Sequence, residues 1–340
     1  MEKKNTLLYV ICFPVFFHII TYYGFHSSYN PYNTWEKQAD WYKGVYGYRI
    51  LSREIVDWIV VFYNKIFTHD IPFKVYIMKK GTIFYHALFS FNMLTAVAVS
   101  LMTDKIFRNK IFFTNVNEKM RIGIIFFLAA ILAFSQYVVY YDNFANFLFL
   151  ITAYFSFKYN FSPSIKNMAW ICILMIVSTL NKETACLNIS LLAALRLSRF
   201  SKNWKDYKPV FSAVIFPVVC FVLTYLVLRI VKQHIDHQKI DFYESITLWY
   251  NLTGINQIIG WTFGILILSF IYYYALSAEN KKLINRFLIF SSPYILMIFL
   301  VGVLWEIRLF IPLIFGATIL AFLDLDLEKR TLSHKGKKGE

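Results

Sequence analysis

Residues 209–230, PVFSAVIFPVVCFVLTYLVLRI, hold a single charged side chain, Arg229, at the far end of the run. As a helix the run would reach roughly 33 Å, enough to cross a hydrocarbon core of about 30 Å. A surface helix of a water-soluble domain carries a polar stripe, and this run has none. It therefore reads as a membrane span, and the rest of the chain can be tested against that reading.

The pattern recurs throughout. Ten apolar segments can be marked at roughly 6–23, 82–103, 122–141, 143–157, 168–181, 184–197, 209–230, 256–276, 287–304 and 309–323. Hydrophobic residues make up 58% of the 340 positions and charged ones 16%, a balance that excludes an ordinary soluble domain. The predicted fold class is all-α: a polytopic transmembrane helical bundle of about ten spans. One transmembrane domain covers 1–323, with long outer loops at 24–81 and 231–255, and a basic tail follows at 324–340. The fifth and sixth segments are short, about 14 residues or 21 Å each, and suit a tilted or re-entrant hairpin. The N-terminal MEKKNTLLYVICFPVFFHII lacks a small-residue cleavage site and reads as a retained first span.

The net charge of +15 resembles that of a nucleic-acid binder, but its distribution does not. Lys105, Arg108, Lys110, Lys119, Arg121, Arg196, Arg199, Lys202, Lys205, Lys281, Lys282 and Arg286 fall in alternate short connections, as does the KGKKGE tail. By the positive-inside rule these connections are cytoplasmic, together with both termini. The partner implied is membrane lipid, with no nucleic acid. Cys12, Cys172, Cys186 and Cys220 lie in apolar runs without CxxC spacing, so neither a disulfide framework nor a metal site is implied.

Several charges have no part in orientation. In the first outer loop, residues 49–65 place Arg49, Arg53, Asp57 and Asn64 on one side at helical spacing. This predicts an amphipathic helix along the outer surface, its charges facing water or a cleft and the rest in lipid. Glu36 and Asp40 precede it. Asp142 ends the third span in YYDN, Lys182 and Glu183 stand at the next outer turn in NKET, and Glu306 and Arg308 in WEIR before the last span. Four distant places thus send carboxylates and cations to one face, which suggests a cleft open to the outside. Simpler roles stay open: Asp142 as a helix cap, and Arg49 and Arg53 paired with Asp57 and Glu54 or snorkelling. His234 and His237 with Asp236 and Asp241 read as a polar loop rather than a metal site. His18, His86 and Asn92 are the main polar residues inside the spans.

The acidic first loop, the segment Tyr48-Arg49-Ile50-Leu51, the Lys182-Glu183-Thr184 turn and the late Glu306-Ile307-Arg308 turn together resemble integral-membrane glycosyltransferases of the GT-C class. The resemblance implies transfer of a sugar from a polyprenyl-phosphate carrier to an acceptor at the outer face of a bacterial cytoplasmic (inner) membrane. It maps the family's first-loop acid onto Asp40, with Glu36 four residues upstream in place of the usual adjacent pair. No large C-terminal outer domain follows, which favours a glycan or lipid acceptor.

Chemistry leads to the same residues. A departing lipid phosphate needs positive charge, for which Arg49, Arg53, Lys182 and Arg308 are the donor-binding candidates. The acceptor hydroxyl needs a carboxylate base, Asp40 or Glu36, in a single displacement. Glu183, Glu306 and Asp142 would position the acceptor or hold a cation. No cofactor is predicted, and no ligand spacing points to a metal, although a divalent ion stays open. An O-antigen-type polysaccharide polymerase or ligase acting on undecaprenyl-pyrophosphate glycans is the alternative. A lipid-linked sugar flippase or transporter comes third, because it should carry its cations deep within the spans.

Overall fold

The computed structural model describes residues 2–24, 49–67, 82–134, 142–236, 247–302, 304 and 306–324. Among these residues all regular structure is helical. The helices are α1 (Glu2–Gly24), α2 (Ile50–Phe67), α3 (Ile83–Arg108), α4 (Glu118–Phe134), α5 (Asp142–Phe161), α6 (Ile165–Asn181) and α7 (Cys186–Arg196). They continue with α8 (Lys208–Asp236), α9 (Leu248–Thr253), α10 (Ile255–Tyr273), α11 (Ala278–Phe290), α12 (Ser292–Val301) and α13 (Ile311–Ala321). Short 3-10 turns stand at Glu183–Ala185, Trp204–Tyr207 and Ile307–Leu309.

Every apolar segment marked in the sequence falls on a helix, but length and composition divide them. Ile83–Arg108, Trp204–Val231 and Ile255–Tyr273 are each long and apolar enough to cross a membrane. Ala278–Phe290 and Ser292–Val301, bent by 52° at Ser291, make a fourth if they form one span. The expected span at 287–304 is therefore a broken helix that begins earlier. Ser291 and Pro293 mark the break, since a proline is tolerated in a helix's first turn but not in its interior. The segment at 143–157 grows to the 20-residue α5, whereas the described part of 122–141 ends at Phe134.

The centre of the bundle is α13. It is apolar on every side, and all its residues from Ile311 to Ala321 are buried. Small residues admit its neighbours: a Cβ on Gly316 would overlap the ring of Phe287 from α11. A Cβ on Gly264 of α10 would meet Phe310 Cγ at 2.8 Å. Further out, α8 and α10 leave most of their surface uncovered, exposing Phe216, Leu223, Val227, Leu266 and Phe270. Apolar area of that extent suits lipid rather than water.

Five buried threonine hydroxyls are satisfied within their own helices. Thr95, Thr103, Thr152, Thr179 and Thr318 each donate to the carbonyl four residues earlier. His18 Nδ1 lies 2.8 Å from the Pro14 carbonyl, and Asn143 donates to the backbone of Asn92 at 3.0 Å.

The predicted amphipathic helix forms as α2. Ser52, Arg53 and Val56 are buried against the bundle, while Trp58, Val61 and Phe62 are exposed. The inward side is mixed: Ser52 meets Asn181 at the end of α6, while Ile55, Val56 and Ile59 pack with Phe84, Leu88 and Phe91 of α3.

The bundle has two polar ends. At one, Asp104 pairs with Arg108 at 2.9 Å and with Arg121 at 3.0 Å, Thr114 bonds Asp324, and Phe112 stacks on Phe161. The other end holds the start of α5, the end of α6 and the start of α13.

Candidate functional site

At the second polar end the start of α5 meets two described turns of the chain. At the first, α6 stops after Asn181 because Lys182 turns to extended backbone (φ −164°, ψ 147°). The Lys182 N–H still donates to Ser178 at 2.8 Å, but its side chain leaves the helix direction and reaches Asp142. Glu183 then opens the 3-10 turn and faces α2, where Arg49 donates to Glu183 Oε2 through Nε at 3.3 Å and Nη2 at 3.2 Å. Ser52 bonds Asn181 beside this pair and fixes α2 on the end of α6.

The other turn, Ile307–Leu309, precedes α13. Arg308 folds back so that Nε and Nη2 both meet Glu306 Oε2, at 3.0 and 2.7 Å, while Nη1 donates to Asp142 Oδ2 at 2.8 Å. Tyr294 of α12 donates its hydroxyl to the Leu309 carbonyl at 2.8 Å and pins the turn from below.

Asp142 is the hub. One carboxylate oxygen takes Lys182 and the other Arg308, and its side chain is 3% exposed. The expectation that Asp142 merely caps α5 gives way to this double ion pair. Among the described residues Arg49, Lys182 and Arg308 face Asp142, Glu183 and Glu306, three charges of each sign. Ionised groups this deep persist only when paired. Burial pushes the Lys182 ammonium below the ordinary lysine value, and Asp142 pulls it back up.

Of the residues singled out in the sequence, Arg49, Asp142, Lys182, Glu183, Glu306 and Arg308 come together here. Arg53 is buried on α2 and pairs with Glu54 of its own helix at 2.9 Å. Asp40 and Glu36 lie outside the described residues, as do His237 and Asp241. Among the described residues no group of three His, Cys, Asp or Glu side chains is placed to hold a metal ion.

Sequence reasoning missed Ser52, Asn181 and Tyr294. Asn181 was visible beside Lys182 as a polar residue ending an apolar run. Tyr294 stands in a run of apolar neighbours and carried no signal.

Two spaces adjoin the network. Under it, Ser178, Thr184, Asn188 and Pro312 line a cavity of about 10 Å³, with Ser178 Oγ and Asn188 Oδ1 buried at its wall. Beside it, an open apolar groove of about 350 Å³ runs along Asn256, Ile259, Gly260 and Phe263 of α10 to Ile307, the residue between Glu306 and Arg308.

No family model, curated protein or solved structure matches this chain.

Proposed function

We propose that this chain is a membrane glycosyltransferase that moves a sugar from a polyprenyl-phosphate carrier to a glycan or lipid acceptor. In this reading about ten helices cross or enter a bacterial inner membrane, both termini are cytoplasmic, and α2 and the ion network face outward. The observation that carries it is the convergence of Arg49, Lys182 and Arg308, from three distant parts of the chain, on one end of the bundle.

Two guanidinium forks and an ammonium suit a phosphate, which takes bidentate hydrogen bonds from arginine and point-charge attraction from lysine. The groove ending at Ile307 lies where an isoprenoid tail would run if its phosphate met Arg308. The acceptor hydroxyl oxygen attacks the anomeric carbon. The bond from that carbon to the phosphate oxygen breaks, and its electron pair leaves with the phosphate. The hydroxyl proton passes to a carboxylate, for which Asp40 is the choice and Glu36 the second. The cations stabilise the charge developing on the leaving phosphate. Placement of the charges at one end of the helices, rather than along their middles, favours chemistry at a surface over passage of a phosphate through the bundle.

The test is transfer of labelled sugar from polyprenyl phosphate to endogenous acceptor in membranes containing the protein or its Arg308→Gln variant. Transfer that depends on Arg308 supports the proposal. Transfer only of glycans supplied on polyprenyl pyrophosphate would replace it with the polymerase or ligase reading. No transfer from either carrier sinks both.

A further inference from the structure

The cations of the network are already occupied, and the way they are occupied differs from pair to pair. Asp142 is sealed, with a side chain 3% exposed, and it divides its two oxygens between Lys182 and Arg308. Glu306 and Glu183 are more open, at 17% and 23%. Each presents a single oxygen to a guanidinium fork: Glu306 Oε2 takes Nε and Nη2 of Arg308, and Glu183 Oε2 takes Nε and Nη2 of Arg49. A two-against-two arrangement is the stronger form of this pairing, and neither glutamate adopts it. The Arg49 contacts are also long, at 3.2 and 3.3 Å. Both pairs are mostly buried, so the bonds a glutamate gives up must be replaced by those of the incoming anion.

We infer that Glu183 and Glu306 are stand-in anions, which hold the Arg49 and Arg308 forks in place and are displaced when a tetrahedral oxyanion binds. The inference rests on the reading of these arginines as a phosphate site. Asp142 stays fixed and keeps Lys182 and Arg308 charged and aimed. The two glutamates hold the forks in the empty protein, then swing to solvent. A phosphate with several oxygens satisfies both forks at once, which neither glutamate does. The ligand class is a phosphate monoester or diester, carried either on a lipid or free in solution.

This model predicts an unusual sign. Removing an acidic side chain that is only structural should weaken a site, whereas removing a competitor should strengthen it. Purified protein in lipid nanodiscs is titrated with inorganic phosphate and, separately, with polyprenyl phosphate, following the shift in melting temperature. Glu306→Gln and Glu183→Gln should each bind about tenfold more tightly than the unaltered protein, equivalent to about 1.4 kcal/mol. Glu183→Asp keeps the charge but is one methylene shorter, so it should also gain affinity. That variant separates competition for the fork from a change in net charge, and it tests the idea if a glutamine variant does not fold.

A gain seen with inorganic phosphate assigns the site to phosphate itself. A gain seen only with polyprenyl phosphate assigns it to the lipid headgroup. Affinity that is unchanged or lower in all three variants overturns the inference. Sugar transfer without any such gain would refute the exchange alone, and a gain without transfer would refute the transferase reading alone.

Discussion

Arg308 Nη1 and Asp142 Oδ2 meet at 2.8 Å across 166 residues of chain, and both side chains are almost fully buried. The contact joins the start of α13, the central helix, to the start of α5. It makes an ion pair part of the architecture of the bundle.

Asp142→Ala should therefore be costly. It leaves Lys182 and Arg308 buried without their shared carboxylate, for which about 3–5 kcal/mol is expected. Thermal unfolding in detergent should show a large loss, and replacing Lys182 with Met in the same protein should recover part of it. A variant as stable as the parent would show that the pair is not buried as described.

Arg308→Lys keeps the charge and loses the fork. Losing charge-assisted hydrogen bonds worth about 1.5–3 kcal/mol predicts a roughly 10- to 100-fold fall in kcat/KM for the lipid-linked donor. Full activity in this variant would remove the guanidinium from donor binding.

Asp40→Asn keeps the size of the side chain but cannot accept a proton. Turnover should fall by about 10²- to 10⁴-fold while binding of polyprenyl phosphate stays near normal. If the loss appears in Glu36→Gln instead, the base sits four residues upstream.

Gly316→Ala places a methyl group into the ring of Phe287. Overpacking of this kind costs about 1–3 kcal/mol, and Phe287→Leu in the same protein should relieve it. The pair of melting temperatures checks the contact, and an additive pair of effects would deny it.

Sidedness can be read by labelling. In a background with the native cysteines replaced, Glu183→Cys should react with an impermeant thiol reagent added outside the cell. Lys202→Cys should react only after permeabilisation. The reverse pattern would overturn the proposed orientation.

The helices were legible because the apolar runs are long and their interruptions are charged. The positions of Asp142, Lys182 and Arg308 were also legible, since an ion in an apolar chain needs a partner and the turns named where to look. Their pairing was not, because nothing local says that Lys182 and Arg308 share one carboxylate. The faces of α2 were legible only as charges turned to water or a cleft, because nothing local names Asn181 as the partner of Ser52. The kink at Ser291 was hidden by the continuous hydropathy on either side of it.

The central helix has one more consequence. From Ile311 to Ala321 it has 11 residues, about 16 Å of rise, with Arg308 near one end and Asp324 near the other. In the proposed orientation the insulating layer at the middle of the protein is thus about half the thickness of the surrounding bilayer. A transmembrane voltage would drop over that shorter path, and moving one full charge through it is worth about 2.3 kcal/mol per 100 mV. Phosphate arriving at Arg308 from the outer side would stop before that layer, so the affinity of the site would be nearly independent of the membrane voltage.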